Sequence, residues 1–146
     1  MMRGCMKAFS KVSPWLTRIT ISFLLGISLM SCDQVEVHPD FKMEDMASGS
    51  GPEVGRFDAV HVYYEGRLQK SNQVFDTNKN EPKPRRYSMR SSTLIDGWKV
   101  GLIGMKAGGK RRLIIPPEMA FGPGGKGQRI PPGATLIFDI ELVKID

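Results

Sequence analysis

The final stretch of the chain limits its possible folds more than any other. Leu136, Phe138, Ile140 and Leu142 share one parity, with Thr135, Asp139 and Glu141 on the other. A period of two sends successive side chains to opposite faces, so this segment reads as a strand with one core face and one mostly solvated face. Such a strand needs neighbours to satisfy its backbone and an apolar element to cover its core face. Val60, Val62 and Tyr64, alternating with His61 and Tyr63, supply a second strand, and Arg111 to Ile115 reads as a third.

Only one short helical signal lies among these strands, from Thr93 to Leu102. Ile95, Trp98 and Leu102 fall on one stripe, and Thr93 and Asp96 have capping-box spacing. Gly97 and Gly101 each cost about 1 kcal/mol of helix propensity against alanine, which is tolerable where a helix must lie close against a sheet. Lys106-Ala107-Gly108-Gly109 and Pro116-Pro117-Glu118 read as turns, and Gly122 to Gly127 as loop. The expected fold class is α+β: several antiparallel strands wrapped on a single helix.

The amino-terminal part is of a different kind. It carries Arg3, Lys7, Lys11 and Arg18 with no acid, followed by an apolar run from Ile19 to Met30. That run is shorter than the ~20 residues a membrane-spanning helix needs and suits the apolar region of a secretory signal. It ends at Leu29-Met30-Ser31-Cys32, which resembles the lipobox of bacterial lipoproteins, with Met30 bulkier than usual. The resemblance implies cleavage before Cys32, lipid on its thiol and a stable bilayer anchor, since two or three chains hold where one does not. The alternative is an ordinary secretory signal cut nearby, leaving a soluble product. Asp33 resembles a signal that retains some lipoproteins in the inner membrane. The expected organisation is therefore a signal peptide over 1–31, a lipidated cysteine and flexible tether over 32–52, and a folded domain over 53–146. The tether is polar and ends in Ser48-Gly49-Ser50-Gly51-Pro52; only Val35 and Val37, at strand spacing, hint at pairing with a sheet edge.

Charge and cysteine usage exclude several functions. The formal charge of +6 falls to +2 once the four leader cations are removed from the 21 basic residues, leaving 17 against 15 acids. A surface so near neutrality gives no strong electrostatic case for nucleic acid. Ten basic residues gather between Lys79 and Arg112 against Glu81 and Asp96; they read as a solvated basic face or as contact with an anionic membrane surface. Cys5 and Cys32 both precede the domain, which can then hold no internal disulfide. His38 and His61 are the only histidines, so no metal or other cofactor is expected. His61 reads as a strand residue facing solvent. Gly122-Pro123-Gly124-Gly125-Lys126-Gly127 has the letters of a dinucleotide fingerprint, but the Gln128-Arg129-Ile130-Pro131-Pro132 that follows cannot form the required helix. The chain also lacks the Gly-x-Ser-x-Gly of a serine hydrolase.

Six segments occur in an order and spacing that resemble the FKBP-type peptidyl-prolyl cis-trans isomerases. They are Val62-Tyr63-Tyr64-Glu65-Gly66, Phe75-Asp76-Thr77, Leu94-Ile95-Asp96-Gly97-Trp98, Gly104 to Pro116, Ala120-Phe121-Gly122 and Ile130 to Leu142. The resemblance runs from about Gly49 to Asp146 and implies a curved antiparallel sheet of five to six strands around one short helix. It implies a catalytic group of Tyr64, Asp76 and Trp98, with Trp98 the floor under a proline ring and Tyr64 and Asp76 a polar pair at the rim. It also implies a substrate-binding wall of Phe75, Leu94, Ile95, Phe121, Ile130 and Phe138. Asp76 has an alternative reading, as the cap of the turn after Phe75. Two positions depart from the family pattern: Phe121 stands where a tyrosine hydroxyl is usual, and Arg85 where an aromatic commonly forms a wall. Lys126 and Arg129 put positive charge beside the cup, which favours acidic substrates. The implied partners are proline-containing polypeptides and, through Cys32, a lipid bilayer of the bacterial envelope; client proteins and oligomeric state are not implied. A proline-segment binder with little turnover, and a scaffold using only the basic face, are the alternatives.

Overall fold

The computed structural model describes residues 37–146, so the leader, Cys5, Cys32 and Val35 lie outside the described residues. Strand β1 (Lys42–Ala47) comes first, then β2 (Ala59–Leu68), β3 (Val74–Thr77) and β4 (Arg85–Ser88). The helix α1 (Asp96–Leu102) follows, then β5 (Lys110–Ile115) and the closing β6 (Leu136–Ile145). All pairings are antiparallel. The order across the sheet is β1-β5-β6-β2-β3, with β4 also paired to β2. Six strands around one short helix match the α+β expectation.

The alternation is kept where it was read. Leu136, Phe138, Ile140 and Leu142 are buried, as are Val60, Val62 and Tyr64, while His61 and Tyr63 are half-buried. Each fully covered aliphatic side chain contributes about 1.5–3 kcal/mol of transfer free energy. Past Leu142 the phase breaks, because the register shifts between His61 and Val62 and leaves Val143 unpaired and exposed. His61 does not simply face solvent, since its Nε2 lies 2.6 Å from Asp146 Oδ2.

Helix α1 begins at Asp96, three residues later than the pattern suggests, with Ile95 as an N-cap that makes no side-chain cap bond. The capping-box reading of Thr93 and Asp96 is therefore incorrect. Thr93 instead closes a preceding turn, its backbone N–H donating to Ser91 Oγ at 3.2 Å. The two glycines serve close packing. A β-carbon on Gly97 would overlap the Ile115 side chain, and one on Gly101 would sit 2.6 Å from both Leu113 methyls. Arg111 ties the far end of the helix down: its guanidinium donates to the Gly101 carbonyl at 2.7 Å and reaches Asp45 of β1 at 2.6 Å.

The segment 32–52 is not tether throughout, because Lys42–Ala47 is an edge strand paired with β5 and Phe41 before it is buried. All six residues of β1 are exposed, so no apolar face announces the strand; backbone bonds and the Asp45–Arg111 pair hold it. Val37, one of the two residues of the expected pairing signal, is 48% exposed and outside any strand.

The basic stretch from Lys79 to Arg112 does not form an uncompensated face. Lys79, Arg85, Arg86, Lys99, Lys106, Lys110, Arg111 and Arg112 each meet a carboxylate. Two of the ten, Lys83 and Arg90, form no ion pair among the described residues.

Candidate functional site

A cavity of about 440 Å³ opens between the helix, the concave side of the sheet and the loop joining β5 to β6. The helix brings Trp98, with Leu94 and Ile95 just before it; β2 brings Tyr64, β3 Phe75 and Asp76, and β6 Phe138. The long loop supplies Phe121 and Ile130. All nine side chains singled out from the sequence thus line one space.

Trp98 forms the base because the helix is pressed onto β5. It is only 3% exposed, yet it lines the cavity, so it is not sealed away from a ligand. Three rings stand edge-on around it: Tyr64 at 5.2 Å between centroids, Tyr87 at 5.2 Å and Phe138 at 5.3 Å. Phe75 in turn meets Phe138 edge-to-face at 5.6 Å. Such T-shaped contacts set each ring's positive edge against its neighbour's negative face and hold the box in shape. Gly66 makes the box possible. Paired with Phe138 across the sheet, it leaves room that a β-carbon would take from Phe75 Cζ at 2.6 Å and Phe138 Cε1 at 2.8 Å.

The polar rim is organised by the Tyr64 hydroxyl. It donates to Asp76 Oδ2 at 2.5 Å and accepts from Arg85 Nη1 at 2.9 Å and from the Tyr87 hydroxyl at 3.2 Å. One donor and two lone pairs are then fully used. Burial, followed by the bond to Asp76, pushes the phenol well above its ordinary pKa, so it stays protonated. Arg85 is clamped in turn by Glu81, whose two carboxylate oxygens each accept from Nε at 3.1 Å. That contact, first among its causes, raises the guanidinium further above its ordinary value.

Asp76 does not cap the turn that follows it. Thr77 does, its hydroxyl donating to the Tyr64 carbonyl at 2.9 Å and accepting the Lys79 N–H at 3.2 Å. Asn78 continues the work, accepting the Tyr64 N–H at 2.7 Å and donating to the Val62 carbonyl at 2.9 Å while 1% exposed. Its side-chain amide thereby stands in for a strand partner along β2.

Sequence reasoning placed Arg85 at a missing aromatic wall and overlooked Tyr87. In the fold, Tyr87 is the wall, two residues along β4 and so on the same face, while Arg85 does not line the cavity and donates to the Tyr64 hydroxyl. The overlooked signal was the alternation Arg85-Arg86-Tyr87, obscured by the prolines before it. Thr93 also lines the cavity and was read only as a cap. Among the described residues no three His, Cys, Asp or Glu side chains converge as a metal site would require.

Comparison with known proteins gives a consistent result. Residues 51–143 match the family model described as FKBP-type peptidyl-prolyl cis-trans isomerase. The chain is 41% identical over 103 residues to the FK506-binding protein of Neisseria meningitidis serogroup B, covering 70% of this chain and 94% of that one. It is 43% identical over 103 residues to the 46 kDa FK506-binding nuclear protein of Spodoptera frugiperda, spanning 70% of this chain but only 25% of that longer protein. Among solved structures, the peptidyl-prolyl cis-trans isomerase of Pseudomonas syringae pv. tomato superposes with a TM-score of 0.64 at 32% identity, over 75% of this chain and 83% of its own. FkpA from Escherichia coli gives 0.65 at 36% identity, over 73% and 48%. With the aromatic box, the sheet order and the family match all in agreement, the chain belongs to the FKBP-type peptidyl-prolyl cis-trans isomerases.

Proposed function

We propose that this chain accelerates rotation about X-Pro peptide bonds during the folding of envelope or surface proteins, working from a lipid anchor at Cys32. The observation that carries the catalytic reading is the open, aromatic-walled cavity floored by Trp98, whose volume of about 440 Å³ exceeds that of a pyrrolidine ring.

The chemistry asked of it is small in atoms and large in barrier. Rotation breaks amide resonance and must cross roughly 18–20 kcal/mol, while the two isomers of an X-Pro bond differ by only about 0.5–1 kcal/mol. No proton moves and no covalent bond forms. In the planar amide, charge is separated between nitrogen and oxygen; in the twisted amide that separation is lost. A pocket of rings and aliphatic groups withholds solvation from the planar form and so favours the twisted one. The protonated Tyr64 phenol is no base. Tyr64 and Asp76, with Arg85 bonded to the phenol from outside the cavity, act as a preset dipolar rim that orients the peptide.

The anchor rests on Leu29-Met30-Ser31-Cys32 at the end of a short apolar run. Globomycin-sensitive processing, with a mature amino terminus whose mass includes diacylglyceryl-cysteine, is the expected result; an unmodified Cys32 would remove the anchor from this reading.

A second reading has a specific observation behind it. The Tyr64 hydroxyl is saturated by Asp76, Arg85 and Tyr87, and Phe121 offers no hydroxyl, so fewer donors remain for a bound carbonyl than such a rim can provide. This favours a holder of proline segments with little turnover. An isomerisation assay on an X-Pro tetrapeptide separates the two. The enzyme reading expects kcat/KM of about 10⁴ M⁻¹ s⁻¹ or more, whereas saturable binding without acceleration supports the holder.

A further inference from the structure

The charge around the cavity is uneven. Three ionic side chains line it: Asp76, Lys126 and Arg129. The carboxylate is answered within the fold, since Asp76 accepts from Tyr64 and lies 3.7 Å from Arg85. The two cations are not; neither forms an ion pair among the described residues, in a domain where Asp139, Glu81 and Asp45 each capture an arginine.

Both cations are nonetheless held in place. Arg129 Nη1 donates to the Phe75 carbonyl at 3.3 Å, reaching from the loop to the sheet side of the mouth. The Lys126 ammonium lies 4.7 Å from the centroid of Phe121. The backbone between them is closed by a reciprocal pair, Lys126 N–H to the Ile130 carbonyl at 2.9 Å and Ile130 N–H to the Lys126 carbonyl at 3.2 Å. A carbonyl and a ring face fix these side chains without neutralising them. Two positioned, uncompensated cations thus flank Ile130, itself a wall of the cup.

We propose that the cavity selects X-Pro segments with an acidic side chain next to the proline, with Lys126 and Arg129 as the residues that determine this specificity. The proposal rests on the reading that a prolyl residue enters the cup, but the charge preference can be measured by binding alone.

At contact distances in water, one opposite charge is worth about a fivefold change in affinity, and salt weakens it. Lys126 and Arg129 are both exposed, so with solvent and salt screening the two together give about a fivefold to tenfold preference. The test compares peptides identical except for Glu, Gln or Lys placed immediately before or immediately after the proline. Isomerisation rate and tryptophan-fluorescence binding are both read on the intact chain. At one of the two positions Glu is expected to exceed Gln about fivefold or more in affinity, with the advantage shrinking in 0.5 M salt. It should collapse toward unity in K126Q/R129Q and turn in favour of Lys in K126E/R129E. A Glu-to-Gln ratio near one at both positions overturns the proposal, as does a preference that survives K126Q/R129Q unchanged. Acid-selective binding without turnover would remove the isomerase reading and keep this one; turnover without acid selectivity would do the reverse.

Discussion

Replacing Gly97 by alanine sets two effects of similar size against each other, and the structure decides the sign. In an unconstrained helix the change gains about 1 kcal/mol of propensity. Here the new methyl would overlap Ile115 Cγ2, with Cδ1 at 2.8 Å and Cγ1 at 3.0 Å. Ile115 is wholly buried and is paired to Leu136 across the sheet, and its branched β-carbon restricts how far Cγ2 can turn away. Overpacking of this kind costs about 1–3 kcal/mol, so Gly97→Ala should lose up to about 2 kcal/mol net. Because Trp98 is the next residue, a helix lifted from β5 also displaces the floor of the cavity, and kcat/KM should fall about tenfold or more. Urea denaturation measures the first effect and a peptide isomerisation assay the second. Ile115→Val should not relieve the strain, since valine keeps Cγ2. Ile115→Ala should, giving a favourable coupling of about 1 kcal/mol or more in a double-mutant cycle. A Gly97→Ala variant more stable than its parent would refute the claim that the helix is seated this closely.

Three further outcomes follow from the site and its supports. Asn78→Ala leaves the Tyr64 N–H and the Val62 carbonyl buried without partners, and should cost about 2–4 kcal/mol, visible as a Tm lowered by about 10 °C or more. Arg112, through its hydrogen bond, holds Asp139 below the ordinary aspartate value; this stabilisation is present above the unfolded pKa near 4 and lost as pH falls below it. Acid titration of stability should therefore be less steep below about pH 4 in Asp139→Asn than in the parent. With the Tyr64 phenol pushed up and no proton transferred, kcat/KM should stay level on the alkaline side to about pH 9, and Tyr64→Phe should lower it about fivefold without introducing a titration; a bell-shaped profile would contradict the proton-free scheme.

Much of this architecture was legible because core strands and the helix write their burial into the sequence. The alternation of Leu136 to Leu142 and of Val60 to Tyr64 names a face directly, and Gly97 and Gly101 announce a close helix-to-sheet approach. The aromatic box was legible for another reason: its residues sit in motifs of fixed spacing. What escaped depends on partners distant in the chain. β1 has six exposed residues and exists because β5 offers an edge and Arg111 a counter-ion to Asp45. Tyr87 was hidden behind Pro82 and Pro84, whose effect on register cannot be read locally. Asn78 looks like an ordinary turn residue until the strand it completes is in place. The basic stretch misled in the opposite direction, since its neutralising acids Glu53, Glu65, Asp45, Asp139, Glu141 and Asp146 come from other segments.

The central claim, that a prolyl ring rests on the Trp98 indole and its amide turns there, is tested most directly by two-dimensional exchange NMR on an X-Pro peptide. With the parent chain present, cis-to-trans cross-peaks should grow within seconds, faster than the tens to hundreds of seconds of free exchange. The proline ring protons should shift upfield through the indole ring current. Trp98→Ala should abolish both effects. Accelerated exchange that persists in Trp98→Ala, or acceleration with no ring-current shift at the proline, would contradict the account.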